Sequence, residues 1–581
     1  MKNMNHKIRS GLIGLIISIL FLALLPSVSA ELYGDANEDT LINMQDVTKV
    51  ERIILELDAE TTSADANKDN EIDMMDVTYI ELLILERKPF PGGHLNAVLI
   101  FAEQSLDPTY QWSGWQVRKA GIAETLFKYN TNMELTPELA TGYEQLSDTE
   151  WLIHLREGVT FHDDTPFNAD AVVYTLERVM DESNSRHSEY DHIASVEAVD
   201  DLTVKITTTE PYAATIASLT DPVVSIVSPT AGKAGLLETN PVCTGPFVFD
   251  SYESEASLSV VRNDNYWNGS VKLESATIQY NEDSATRALL LESGDVDIAK
   301  GLPFTEVSTI DADADLDVVT KETMRLYFMF VNTEKPPLDD IRVRQAINYA
   351  IDRDEIVDVA LEGFGGVPAV GMFPSIFPWT NDNLTGYPYD TDKALSMLAA
   401  AGISDIDNDG ILEYNGEDFE LNIKTYTSRA EMEPSSNVIA IQLEEIGINV
   451  EVELLSATVI KEAMTSGDYD LAFYAYGVAP SGDPDYYLTA HFDSTAGSIE
   501  NSWIRYSNDT VNNLLADARV CMDPDERKDL YDQVQAIIVE ESPEMFIFHG
   551  KDIVGHHIDV KGYEIYPNEI SFLTKDMYMG R

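Results

Sequence analysis

The chain has 581 residues, enough for several domains, and carries 38 basic against 101 acidic residues, a formal charge of −63. Such a charge repels nucleic acid, and no basic patch with interleaved aromatics occurs, so nucleic-acid binding is excluded; a hydrophobic content of 44% excludes wholesale disorder. The acidic residues are spread along the whole chain, which points to a high-salt environment or to many cation sites rather than to one acidic tail.

Residues 1–30 carry Lys2, Lys7 and Arg9, then an apolar run from Gly11 to Leu25, then Val28-Ser29-Ala30. This is the layout of a signal peptide and predicts an extracytoplasmic protein, secreted or held at the cell surface. The run is short for a spanning helix, which needs ~20 residues; retention as an uncleaved N-terminal anchor is the alternative. Cys243 and Cys521 make no disulfide scaffold, and one bridge or two separate thiols are equally open.

Two copies of one unit follow, starting at Asp35 and Asp65. Each places oxygen donors in a tight loop before an apolar-periodic helix: Asp35, Asn37, Asp39, Asn43 and Asp46, then Asp65, Asn67, Asp69, Asp73 and Asp76. A hard cation such as Ca²⁺ takes that many oxygens, with main-chain carbonyls at Leu41 and Glu71 adding to the two sets. Ile42 and Ile72 would pair the loops, and Val50, Ile53, Ile54 with Ile80, Leu83, Ile84 would pack the helices together. The pair resembles a type I dockerin module, a small all-α calcium-binding duplication that docks to a cohesin domain. The resemblance implies calcium-dependent folding of residues 31–88 and a cohesin partner. Thr40 and Asn70 stand where a calcium loop ordinarily has glycine. Residues 89–94 read as a linker.

From Leu95 the pattern becomes α/β. Asn96 to Ala102 reads as a strand, Val117 to Phe127 as a helix, and Ala171 to Val179 as a helix capped by Asn168 or Asp170. Leu326 to Val331 reads as a buried strand, stopped by Pro336-Pro337 and followed by a helix from Ile341 that Asp339 or Asp340 can cap. Beyond it, strands and helices alternate: Leu421 to Tyr426, Ser435 to Ile446, Asn449 to Leu454, Val459 to Thr465, and the strand in DYDLAFYAYG from Asp468. Asp405, Asp407 and Asp409 sit as in half of a calcium loop, but position 12 is Gly416, and a turn before a hairpin is the blander reading.

Several stretches in this region, in this order, resemble the peptide and nickel class of ABC-transporter solute-binding proteins, family 5. They are LREGVTFHDDTPFNAD from Leu155, TGPF from Thr244, NDNYWNG from Asn263, TRALLLESGDVD from Thr286 and IRVRQAINYAIDR from Ile341. The resemblance implies an α/β, two-lobed periplasmic-binding-protein-like fold (type II, cluster C-like), with lobe I over residues 95–335, lobe II over 336–544, and residues 545–581 returning to lobe I. It also implies capture of a peptide or a nickel chelate in the cleft between the lobes and delivery to a membrane permease.

Aromatics, main-chain groups and a few placed charges carry binding in such clefts. The candidates are Gln111, Trp112, Trp115 and Arg118 after the first strand, Phe377 and Trp379 in a Gly/Pro-rich loop, and Tyr474, Tyr476, Asp483, Tyr486 and Tyr487 around YAYGVAPSGDPDYYL. Peptide-binding members commonly present an acidic residue a few positions before a DPD-like segment; here that neighbourhood is Val478-Ala479-Pro480-Ser481. Nickel favours nitrogen ligands or a chelator such as free histidine, and His491, His549, His556 and His557 form no spaced ligand cluster. Arg118 could face a ligand carboxylate. No GxSxG or HExxH motif occurs, so no enzyme is expected. A dockerin-bearing hydrolase and a cohesin-docked surface assembly protein are the alternative readings.

Overall fold

The computed structural model describes residues 36, 44–55, 58–59, 61–64, 66, 72, 76–77, 80, 92–103 and 105–580. The chain divides into two compact units, residues 1–91 with 579–581, and residues 92–578.

In the first unit the helix Met44–Ile54 turns Val47, Val50 and Ile53 inward at helical spacing. They share a small core with Ala36, Ala64, Ala66, Val77 and Ile80, so residues of both repeats bury one another, and Ile54 and Ile72 pack against it. Asp46 and Asp76, each expected as the last ligand of its repeat, are both fully buried. The other loop candidates, Asp35, Asn37, Asp39, Leu41, Asn43, Asp65, Asn67, Asp69, Glu71 and Asp73, lie outside the described residues, as do the signal segment, Ile42, Leu83 and Ile84.

The second unit is built on one large mixed sheet. Its strand order is Asn449–Leu455, Glu420–Tyr426, Leu471–Gly477, Leu316–Val331, Glu544–His557, Ile298–Lys300, His94–Leu99, Ser275–Tyr280, Ser257–Arg262 and Phe247–Glu253. The two longest strands, Leu316–Val331 and Glu544–His557, are antiparallel neighbours in the middle. One end of this pair borders lobe I, where Ile298–Lys300 pairs with His556 to Val554. The other borders lobe II, where Arg325 to Val331 pair with Gly477 to Leu471. The ladder changes register between Glu322 and Leu326 and again between Tyr327 and Phe328, at the passage from one lobe to the other. Lobe I adds a four-stranded antiparallel sheet, Ala140–Ser147, Glu150–Leu155, Thr203–Thr208 and Ile193–Asp200, covered by the helix Ala169–Met180.

Helix Ala169–Met180 is capped by the Asn168 side chain, and helix Ile341–Ala350 by Asp340. The expected helix over 117–127 is instead Ser113–Lys119, and Phe127 opens a short strand, Phe127–Tyr129. Gly121 stops it: the backbone there is left-handed (φ 68°), and a β-carbon would lie 2.7 Å from the Phe247 ring. After the last long strand the chain packs on lobe I, with Leu573 N donating to Lys119 O at 2.8 Å and Lys272 N to Lys575 O at 2.9 Å. Both cysteines are free thiols. Among the described residues no helix is long and apolar enough to cross a membrane.

Candidate ligand-binding site

Parallel pairing puts the ends of several strands at one edge of the sheet, where an open α/β sheet ordinarily places its ligand. Residues just past His94–Leu99 and Glu420–Tyr426 meet there, and with the crossing strands they enclose a cavity of about 660 Å³. Lobe I contributes Phe101, Glu103 and one face of helix Ser113–Lys119 with the residue before it: Trp112, Trp115, Gln116 and Lys119, at i, i+3, i+4 and i+7. Thr323, Arg325 and Tyr327 line it from the crossing strand, at the register change. Lobe II contributes Arg429, Glu431, Tyr474, Tyr476, Tyr486, Glu500 and Trp503. Beside the cavity the lobes touch: Tyr129 Oη donates to Gly482 O at 3.2 Å, and Tyr212 Oη to Asp485 Oδ2 at 3.2 Å.

The wall carries charges of both signs, and three of its cations are already engaged. Arg325 Nη2 reaches Glu569 Oε2 at 2.5 Å, and Lys300 Nζ reaches Asp552 Oδ2 at 2.7 Å. Burial works against the Glu569 charge, yet Arg325, Lys300 and Arg429 hold its carboxyl well below the usual range. Arg287 spends its donors on the main-chain carbonyls of Lys300 at 2.8 Å, Asn281 at 2.7 Å, and Gly301. Burial, and next the positive charge of Lys300, push the Lys119 ammonium down to about 8; its Nζ lies 5.6 Å from the centroid of the Trp115 ring. Burial raises Glu103 above the ordinary carboxyl range.

Of the residues singled out from sequence, the structure brings Trp112, Trp115, Tyr474, Tyr476 and Tyr486 to this cavity. Gln111 lines an adjoining polar cavity of about 760 Å³ that shares Ile100, Glu103, Tyr280 and Glu282 with the first. The others lie elsewhere. Arg118 points from the opposite side of its helix into a buried ion pair with Glu138 at 2.8 Å, which corrects its expected role toward a ligand carboxylate. Asp483 is buried in a two-point pair with Arg527, and the Tyr487 hydroxyl donates to Glu544 at 2.5 Å in the core beneath Tyr476. Phe377 is core packing against Phe373, and Trp379 covers Arg527 and Tyr531. Among the described residues no histidine or cysteine lines the cavity. His491 bonds to Glu544 at 2.6 Å, and burial pushes His549 down to about 3. The cationic wall, Lys119 with Arg287, Lys300, Arg325 and Arg429, went unremarked in the sequence; the i, i+3, i+4, i+7 spacing from Trp112 was the signal for Lys119.

In the 405–413 turn, carboxylate oxygens of Asp405, Asp407 and Glu413 lie within 4.8 Å of one another, and Asp409 is not one of the group. Asp405 there accepts from Asn408 N at 2.7 Å and Gly410 N at 3.1 Å, and Asp409 from Ile411 N at 2.9 Å, between the short strands Ile403–Ser404 and Glu413–Tyr414.

Residues 134–498 match the family model of bacterial extracellular solute-binding proteins, family 5 middle region. The chain belongs to that family. Residues 33–85 match the model of the dockerin type I domain. Among curated proteins, the glutathione-binding protein GsiB of Shigella flexneri is 30% identical over 467 residues, covering 78% of this chain and 88% of its own. Among solved structures, a nickel ABC transporter protein from Bacillus halodurans is 30% identical with a TM-score of 0.71, covering 84% of this chain and all of the other. The Helicobacter pylori periplasmic binding protein DppA, in complex with the peptide STSA, is 27% identical with a TM-score of 0.70 over 86% of this chain and all of its own. Family-5 proteins of this kind are extracytoplasmic and bind substrates for ABC transporters; they are not enzymes. The two-lobed fold and the motif order that identified it in the sequence agree with these relatives. Thr244, Tyr266 and Trp267 all donate to the buried Glu124 carboxylate, at 2.8, 2.7 and 2.8 Å, so TGPF and NDNYWNG hold the fold rather than a ligand.

Proposed function

We propose that the protein is the extracytoplasmic solute-binding component of an ABC importer, which captures a peptide or a nickel chelate between its lobes and hands it to a membrane permease. One observation carries this reading: a cavity of about 660 Å³ is walled by both lobes and floored by the two strands that cross between them. Its size suits a small solute. The aromatic residues Trp115, Tyr474, Tyr476 and Trp503 offer faces for packing, and charges of both signs suit a dipolar ligand. With no imidazole or thiol among the described residues of the wall, nickel would arrive with its own chelator. The test is native mass spectrometry with a defined pool of short peptides, and separately with Ni²⁺ and L-histidine, alongside small-angle scattering. A bound mass together with a smaller radius of gyration supports capture with closure. Absence of any bound mass overturns this choice of solutes.

A second reading concerns residues 33–85, which would hold calcium and dock to a cohesin domain. The match of residues 33–85 to the dockerin type I model, with Asp46 and Asp76 buried at equivalent places in the two repeats, supports this reading. Pull-down by a cohesin domain in calcium, lost in chelator, tests it.

A further inference from the structure

Cations are scarce in this chain, 38 against 101 acidic residues, and an unengaged one in a cleft needs a reason. Arg325, Lys300 and Arg287 are consumed by Glu569, Asp552 and main-chain carbonyls. Lys119 and Arg429 are not. Neither makes an ion pair or a side-chain hydrogen bond among the described residues, and each has only an aromatic face: Trp115 for Lys119, and for Arg429 the Phe101 ring, whose centroid is 5.9 Å from Cζ. Glu103, Glu569 and Asp552 face Lys119, and Glu431 and Glu569 face Arg429, none of them within ion-pair distance. The exposed Lys461 and half-buried Lys551 add positive charge to the same cavity.

Lys119 stands at the end of a lobe I helix, and Arg429 follows a lobe II strand. Phe101 belongs to lobe I, so the Arg429 guanidinium already crosses the cleft. On the Lys119 helix, Trp115 Nε1 and Gln116 Nε2 are buried donors with no hydrogen-bond partner, and both residues line the cavity. An orphaned buried donor is costly, and a cation stripped of water without a counter-charge is more so. Two cations without an ion pair and two orphaned donors therefore face one cavity, an arrangement that an acceptor group carried by the ligand would complete.

We propose that Lys119 and Arg429 clamp a carboxylate of the bound solute, one cation from each lobe, so that the negative group on the ligand draws the lobes together. The inference rests on the solute-binding reading above and deepens it. Both solute classes of that reading can supply the group, a peptide through its C-terminus and a chelate through the carboxylate of its amino acid. Arginine engages carboxylate oxygens two at a time, while lysine adds a point charge.

The experiment is native mass spectrometry with titration on the full mature chain, using four probes. They are a pool of di- to pentapeptides, the same pool amidated at the C-terminus, Ni²⁺ with L-histidine, and Ni²⁺ with L-histidinamide. The expected result is binding of free-carboxylate probes from one class or both, weakened about tenfold or more by amidation and by Lys119→Met or Arg429→Met, with Arg429→Lys recovering part of the loss. Which class binds identifies the source of the carboxylate. Equal binding of the acid and amide forms overturns the clamp and leaves solute capture standing. Absence of binding by all four overturns the choice of solutes and the clamp with it. The amidated probes test the clamp on the unaltered protein, so a variant that fails to fold does not protect it.

Discussion

The Arg527 guanidinium grips the Asp483 carboxylate at two points, Nη1 to Oδ2 at 2.6 Å and Nη2 to Oδ1 at 2.8 Å, with both side chains buried. Tyr531 accepts a third bond from the same guanidinium at 2.9 Å, and Trp379 covers it. Removing one partner strands a buried charge, so Asp483→Ala is expected to cost ~3–5 kcal/mol of stability. Denaturant unfolding measures it. Pairing it with Arg527→Met should recover much of the loss, and a drop below ~1 kcal/mol for the single change would contradict a buried pair.

Glu124 predicts a pH dependence. Burial, and then the neighbouring Glu138 carboxylate, push its carboxyl up to about 7 from 4.5. Between those values the folded chain holds a proton that the unfolded chain has released, so this group's contribution falls as pH rises from 4.5 to 7. Glu124→Gln should flatten that part of the stability profile. A variant that keeps the parental slope would place the titration elsewhere.

Lys119 carries the opposite sign of consequence for the empty protein and for binding. Its ammonium, pushed down to about 8 from 10.5, is a cation the fold dehydrates, facing Lys300, Arg325, Glu569, Asp552 and Glu103. The folded chain binds that proton less well, so the cost is full below pH 8 and disappears as pH rises toward 10.5. Lys119→Met should therefore raise the melting temperature of the ligand-free protein at pH 7, with the gain fading by pH 10.5, while weakening capture of carboxylate probes. A lower melting temperature at pH 7 would mean that Lys119 is compensated.

Calcium should matter to residues 33–85. Chelation is expected to expose Asp46 and Asp76 and to remove the helical signal of this segment, seen in circular dichroism of the full chain and restored by Ca²⁺. An unchanged spectrum in chelator would separate the fold of this unit from metal.

Salt should stabilise the whole. With a formal charge of −63, self-repulsion is screened as ionic strength rises, and the melting temperature is expected to climb between low and molar salt. A flat response would show that the acidic residues are locally balanced.

Fold and site were legible in the sequence to different depths. The order of motifs marked the α/β lobes because those segments hold the fold: Glu124 gathers Thr244, Tyr266 and Trp267 from two of them. Aromatic residues of the site stood out by type, yet Tyr486 and Tyr487 are neighbours on one helix, one at the cavity and the other in the core with Glu544. Composition does not separate two such positions. Asp483 looked like an anchor because its partner, Arg527, is 44 residues away in the chain. Arg429 was invisible for the converse reason, since a lone arginine in a loop acquires meaning only once the sheet brings it across from Phe101.

The register change at Glu322 to Phe328 lies where Thr323, Arg325 and Tyr327 floor the cavity. The solute would thus sit almost on the pivot of the molecule, at the short arm of a lever whose long arms are the lobes. A small adjustment to the shape of a ligand there would become a larger displacement at the outer surface. Small solutes of different outline would then be reported outward as different postures of the same two bodies, legible to a surface that never touches them.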